Sequence, residues 1–271
     1  MAELLKVCVA GVSGRLGRRI AAELAAREET ALSGGMVSAD SPHLGADLGE
    51  FTGAGWAGIP TKVALEDASA GAGVVIDVTA PKVTVAIAER LAKSRGPAFV
   101  TGTTGLDADQ QAALHEAAKS IPVLQASNFS LGVAVLERLV AEAARALSAE
   151  QFDLEITETH HRKKADSPSG TAISLGQAAA RGRDQVFEKV AAFERPRQGG
   201  SRRTGEIGFA ASRGGGVVGE HAARFISDFE EVTIAHRAFD RGIFARGAVE
   251  AALWLAGKEP GFYTMQDLVK G

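Results

Sequence analysis

The sequence predicts an α/β protein, with a doubly wound parallel sheet over residues 1–129 joined by 241–271 and a second α+β domain over 130–240. Three observations predict it. Short apolar runs alternate with amphipathic stretches through the first 130 residues, the pattern of right-handed βαβ units. A glycine-rich turn, GVSGRLG, follows the first apolar run directly. After residue 150 the pattern changes to apolar–polar alternation broken by glycine-rich loops, as half-exposed antiparallel strands give.

LLKVCVA (Leu4–Ala10) reads as the first strand and GRLGRRIAAELAARE (Gly14–Glu28) as the first helix. TALSGGMV (Thr30–Val37) reads as a second strand, weakened by its two glycines. GVVIDVT (Gly73–Thr79) is a nearly continuous β-branched run, expected of a strand buried on both faces. KVTVAIAERLAKS, AFVTGT, DADQQAALHEAAKS and IPVLQAS then continue helix, strand, helix, strand. LGVAVLERLVAEAARALS (Leu131–Ser148) is a long amphipathic helix. FDLEITETH opens the second domain's strands, and GEIGFAASRGGGVVGEHAARFIS and EEVTIAHRAF supply more. RQGGSRRTGE (Arg197–Glu206) reads as a mobile loop. DRGIFARGAVEAALWLAG returns to a helical period, predicting a helix that packs on the first domain with Trp254 as a core anchor. No internal repeat is present.

The chain of 271 residues is 45% apolar and 23% charged, as expected of a soluble globular protein with real cores. Its net charge of −3 provides no global basic field to attract DNA or an anionic membrane. The single cysteine, Cys8, lies in an apolar run and reads as a buried strand residue; one thiol makes no internal disulfide, so nothing points to an oxidising compartment. No segment reaches the ~18 consecutive apolar residues of a membrane span. The glycine turn arrives by residue 11 and leaves no room for a signal peptide, so a cytoplasmic location is expected.

The turn carries Gly11, Gly14 and Gly17 between a strand and a helix, the position of a Rossmann-type dinucleotide site. Glycines there permit a tight turn and close backbone approach, and the helix N-terminus offers N–H groups to a pyrophosphate. The spacing is GxxGxxG, less diagnostic than GxGxxG. An acid for the ribose hydroxyls belongs ~20 residues further on. Val37, Ser38, Ala39 and Asp40 stand there, with neither an acid squarely in place nor an arginine for a 2′-phosphate, so the choice between NADPH and NADH stays open. The other strand ends are Val78–Pro81, Gly102-Thr103-Thr104-Gly105 and Ala126-Ser127-Asn128-Phe129, where a doubly wound sheet binds its ligand.

ETHHRKKADSPSGTA (Glu158–Ala172) gathers five cationic or protonatable side chains, His160 to Lys164. Period-2 spacing puts Phe152, Leu154, Ile156, Glu158 and His160 on one face, so His160 stands where the strand leaves the core, as a proton-donor candidate. His161 and Arg162 begin a loop. DSPSGTA reads as a helix start: Ser167 or Ser169 caps it, Pro168 fits the first turn, and the N–H groups of Gly170 and Thr171 form an anion site. Four uses compete for this charge. A charge run is commonly a solvated face; a His-His pair without further ligands makes a poor metal site; and nucleic acid requires a longer basic stripe with aromatics. A small, multiply anionic ligand is the functional reading that remains.

GVSGRLGR, GTTG (102–105), ASNFSLGV (126–133) and ETHHRKKADSPSGTA together resemble the 4-hydroxy-tetrahydrodipicolinate reductase (dihydrodipicolinate reductase) family. SRGGGVVGEH (212–221) and FARGAVEAALWLAGKEPGFYTMQDL (244–268) resemble it too, so the likeness covers nearly the whole chain. The resemblance implies an NADPH- or NADH-dependent oxidoreductase of diaminopimelate and lysine biosynthesis. Such an enzyme removes the 4-hydroxyl of a cyclic imine dicarboxylate as water and reduces the ring to tetrahydrodipicolinate. It implies His160 as proton donor and acceptor, Lys164 as partner proton donor, His161 in contact with substrate, and the Gly170–Thr171 backbone on a carboxylate. Gly11, Val12, Ser13, Gly14, Arg15 and Leu16, with Gly102, Thr103 and Thr104 and with Ala126, Ser127, Asn128 and Phe129, would line the cofactor. No metal is implied. A homotetramer assembled through sheets of the second domain is implied, with no nucleic-acid or membrane partner. The sequence departs from the family where Val37 and Ser38 replace an acid and an arginine, and where Ala80 replaces an arginine after the third strand. Two other readings remain: a nucleotide sensor without catalysis, and a Rossmann oxidoreductase acting on another dicarboxylate.

Overall fold

The computed structural model describes residues 3–53, 55–195 and 200–270, which fall into two units, Met1–Ser130 with Gly242–Gly271 and Leu131–Arg241. In chain order the first unit runs β1 (Leu5–Ala10), α1 (Arg15–Ala25), β2 (Thr30–Met36), the single turns α2 (Gly49–Thr52) and α3 (Leu65–Ala68), and β3 (Val74–Asp77). It continues with α4 (Pro81–Ser94), β4 (Ala98–Thr101), α5 (Ala108–Ala117) and β5 (Pro122–Gln125). The second unit holds α6 (Leu131–Ala146), β6 (Asp153–His160), α7 (Gly170–Gly182), α8 (Phe187–Val190), β7 (Ala191–Ala192), β8 (Ile207–Arg213), β9 (Gly219–Ile226) and β10 (Glu231–Ala238). The chain then returns to the first unit through α9 (Gly242–Leu255), β11 (Gly261–Thr264) and α10 (Met265–Lys270).

The first sheet has the order β11-β5-β4-β3-β1-β2, and every pairing in it is parallel. β3 and β4 are buried along their whole length, as expected of GVVIDVT, and the burial includes the polar Asp77 and Thr101 at their ends. α9 packs on α1 and on β3, β4 and β5. α5 is held by a capping box, in which Asp107 accepts the Gln110 N–H and the Gln110 side chain accepts the Asp107 N–H. β11 was not expected. FYT is too short to show a period, and its place beside β5 depends on α9 bringing the chain back. Trp254, expected in the core, is half-buried against Tyr263, with Lys258 over its ring. The apolar anchors of α9 are instead Ala248, Val249, Ala252 and Leu255.

The second sheet has the order β10-β9-β6-β8-β7. β6 pairs antiparallel with β9 but parallel with β8, so the expectation of antiparallel strands holds on one side only. The parallel partner is reached by a crossover through α7, whose return to the sheet sequence alternation does not reveal. Leu154, Ile156, Leu175 and Phe225 are fully buried between this sheet and its helices, each contributing ~1.5–3 kcal/mol. Arg202 reaches the start of β6, bonding Glu155 and the Leu154 carbonyl. Arg197–Gly199, the start of the expected Arg197–Glu206 loop, lie outside the described residues.

Candidate functional site

Two groups of expected site residues lie in different units: the glycine turn and strand ends in the first, the basic run in the second. In the second unit, Leu154 and Ile156 of β6 join the core with Ala172 and Leu175 of α7. Glu158 and His160 continue that face, both buried. One Glu158 carboxylate oxygen lies 2.6 Å from His160 Nδ1. The other accepts the Ser169 N–H at 3.0 Å. Arg213 donates to both, at 2.7 and 2.8 Å. Burial disfavours the charge on Glu158, but Arg213, His160 and the Ser169 N–H outweigh it and hold the carboxyl below the ordinary glutamate range. An ionised Glu158 can only accept, so His160 carries its proton on Nδ1 and keeps Nε2 for exchange. A Cβ on Gly219 would stand 3.0 Å from Nε2, so the glycine keeps that nitrogen uncrowded.

Lys164 donates to both oxygens of Asp166, at 2.8 and 2.7 Å. Arg213 also donates to the Asp166 carbonyl at 2.7 Å and so ties the Lys164 loop to the carboxylate that holds His160. Partial burial, then Arg241, His160, Lys164 and Arg213, push the His161 pKa down. An anion placed beside these groups would reverse that push. Ser169 is the helix cap, its hydroxyl accepting the Ala172 N–H at 3.2 Å. Pro168, expected in the first turn, precedes the cap instead, because Ser169 takes the extended conformation a cap requires. Gly170 and Thr171 occupy the first two helical positions, and a Cβ on Gly170 would meet nothing within 4 Å.

His221 of β9 lies opposite Glu158, with its Nε2 3.0 Å from the Ser169 hydroxyl and its ring centroid 5.0 Å from that of His160. Burial, then the neighbouring His160, lowers its pKa to about 4. A histidine with a depressed folded pKa binds its proton more readily in the unfolded chain. Stability is therefore full above ~6.5, the unfolded value, and falls as pH drops from there through about 4. The expected loss is of the order of 3 kcal/mol, read as a falling urea midpoint, and His221→Asn should flatten that dependence. An unchanged slope in the variant would assign the loss to other groups.

In the first unit, Gly11 has φ +80°, and a Cβ on it would lie 2.9 Å from the Val78 carbonyl. α1 starts at the Gly14 cap with no side-chain bond to its first turn, so the N–H groups behind the glycine turn suit a pyrophosphate. The strand order reverses between β1 and β3, the place where such sheets bind ligands. Those features fit a dinucleotide. Val12 and Phe129 have buried side chains and offer only backbone, whereas Ser13 and Leu16 are half-buried and Arg15, Thr104 and Ser127 exposed. The Ser13 carbonyl accepts from Arg18 at 2.9 Å, and Arg18 also reaches His43. Gly102 lies on the Phe129 ring, where a Cβ would come within 2.4 Å. Asn128 accepts the Ser130 N–H at 2.9 Å and turns that loop, at whose start Ala126 is buried. A Cβ on Gly17 would stand 2.1 Å from the Gly11 carbonyl. Gly17→Ala is therefore expected to cost ~1–3 kcal/mol by urea unfolding and to weaken nucleotide binding at least ~tenfold by fluorescence titration.

The residues missed in sequence are Arg213, His221 and the role of Glu158. SRGGGVVGEH contains the first two, but only strand pairing sets Arg213 beside His160 and His221 beside Glu158.

A family model described as dihydrodipicolinate reductase, N-terminus, matches residues 5–129, and one described as dihydrodipicolinate reductase, C-terminus, matches 132–269. A 4-hydroxy-tetrahydrodipicolinate reductase of Caulobacter vibrioides is 44% identical over 99% of this chain and 98% of its own. Its namesake in Rubrobacter xylanophilus is 45% identical over 98% of each. Among solved structures, a dipicolinate-bound dihydrodipicolinate reductase from Paenisporosarcina sp. TG-14 aligns with a TM-score of 0.79 at 21% identity, covering 98% of this chain and 99% of that one. An amine dehydrogenase from Mycobacterium smegmatis aligns at 0.61 and 12% identity, covering 98% and 96%. Architecture alone thus spans different chemistries.

Proposed function

The chain belongs to the dihydrodipicolinate reductase family, and from that membership we propose how its own residues serve the reaction. The reaction is the reduction of 4-hydroxy-tetrahydrodipicolinate, with loss of water, to tetrahydrodipicolinate in diaminopimelate and lysine biosynthesis. The observation that carries the assignment of roles is the ionised, buried Glu158 held against His160 Nδ1.

A bound reduced nicotinamide nucleotide supplies the hydride, and Gly11–Leu16, Gly102–Thr104 and Ala126–Phe129 would hold it. Hydride addition leaves negative charge on the nitrogen-bearing ring, which must take a proton. His160 delivers it from Nε2, while Glu158 keeps Nδ1–H in place and stabilises the imidazolium before transfer; such general-acid work is worth ~10²–10⁴-fold. Lys164 is the partner donor. Its pairing with Asp166 is weak, because Asp166 is 62% exposed, so a substrate carboxylate can draw the ammonium away. His161 and the Gly170–Thr171 backbone take the carboxylates. Two negative groups explain why one ligand needs both cations and a helix N-terminus.

Val37, Ser38 and Ala80 provide neither an acid nor an arginine, which supports a relaxed choice between NADPH and NADH. A homotetramer joined through the second unit's sheets is part of the reading. Phe229, 96% exposed beside β10, and the exposed Val232 support it. A cytoplasmic location completes it; no helix among the described residues is long and apolar enough to cross a membrane. The test is a coupled assay with enzymatically made substrate, run in parallel with NADH and NADPH. Oxidation of neither would overturn the function, and a KM ratio far from unity would overturn the relaxed preference.

A further inference from the structure

We propose that Asp77 is a positioning residue that sets the cofactor-facing strand ends of the first unit. Asp77 is the last residue of β3, level with Ala10 before the glycine turn and with Thr101 before the GTTG loop. It is wholly buried, and among the described residues no cation is paired with it. Its carboxyl oxygens are instead met by hydroxyls. Thr79 donates to one oxygen through Oγ1 at 2.5 Å and through its N–H at 3.2 Å. Thr84, Thr101 and Thr103 donate their hydroxyls to the other oxygen at 2.6, 2.8 and 3.0 Å.

A buried carboxylate is costly unless its acceptor sites are filled, so the five donors are bound to fixed places. The places matter because of what each donor touches. The Thr79 methyl would lie 3.2 Å from a Cβ on Gly11, so Thr79 backs the glycine turn. Thr101 in turn accepts the Thr103 N–H at 3.2 Å, and the Asp77 carbonyl accepts the Gly102 N–H at 2.9 Å. Gly102 itself rests on Phe129. One side chain thereby bonds two strand-end loops directly, at Thr79 and Thr103, and through Thr79 and Gly102 bears on the glycine turn and on Phe129. Thr84 differs from the others: it sits in the first turn of α4 and ties the carboxylate to the helix rather than to a loop.

The proposal rests on the reductase reading, since hydride transfer is what misplacement of these loops would slow. In Asp77→Asn an amide NH₂ facing Thr79 cannot accept the Thr79 N–H, and one facing Thr84, Thr101 and Thr103 has two hydrogens for three hydroxyls that must all turn to accept, so at least one bond is lost in either orientation. Expected are amide exchange at Thr79 and Thr103 about tenfold faster in the cofactor-free protein, kcat at least ~tenfold lower, and a larger deuterium isotope effect on kcat with 4-deuterated nucleotide. The Kd for NADH or NADPH, by fluorescence titration, should stay within about threefold. Thr103→Val should reproduce the isotope effect if Asp77→Asn does not fold. Thr84→Val should lower Tm alone. A fall in Tm without change in exchange or isotope effect would overturn the proposal, as would a Kd raised more than tenfold at unchanged kcat. The wild-type assay separates the two readings. If wild type does not oxidise nucleotide with the substrate, the function falls; if it does and Asp77→Asn matches it in exchange and kcat, only the positioning role falls.

Discussion

Replacing His160 with glutamine is expected to lower kcat at least ~10²-fold while leaving the Kd for NADH and NADPH within about twofold. Glutamine keeps a polar side chain beside Glu158 and retains a hydrogen bond there, but it has no group that gains and releases a proton near neutral pH. The loss should therefore fall on the chemical step. Lys164→Ala should lower kcat by a similar ~10²-fold, because its ammonium is the second donor. Near-normal turnover in both variants would remove the assignment of roles. Since the residue of interest and the glycine turn belong to separate units, nucleotide binding provides a control on folding of the first.

Glu158→Gln is expected to combine a stability loss of about 3 kcal/mol with a fall in kcat of ~10²-fold or more. The carboxylate accepts four bonds, from His160, Ser169 and the two ends of Arg213. Every partner is a donor. An amide NH₂ in either orientation meets a donor that it cannot satisfy, and Arg213 loses its counter-charge. If the NH₂ turns toward His160, the ring must accept on Nδ1 and carry its proton on Nε2 without the anion that stabilises its charged form. Urea unfolding measures the first effect and single-turnover kinetics the second. A variant that is less stable but turns over normally would make the carboxylate a purely structural anchor.

Some of this site is legible in the sequence because its geometry is local. Alternation along FDLEITETH puts Glu158 and His160 on the covered face, and a serine before GTA caps a helix; both depend only on residues a few positions apart. The glycine turn is local in the same way. Trp254 and Pro168 were misplaced for a related reason. Size suggests burial and a proline suggests a first turn, but packing of α9 by small residues and the extended Ser169 overrode those tendencies. Arg213 lies 53 positions from His160 in sequence and beside it in register, which no period in either segment encodes.

By itself the sequence determined the alternating βαβ order, the buried strand VVID, the glycine turn, and the strand end and helix start that bracket the basic run. Those follow from side-chain periodicity and backbone preference, which act over one or two turns of chain. Only the tertiary structure decided that β8 runs parallel to β6, that β11 adds an edge strand to the first sheet, and that two buried carboxylates organise the two halves. Glu158 and Asp77 are unremarkable letters in their strands. Each has a role only because burial removes water from its oxygens and distant chain segments must supply the hydrogen bonds instead.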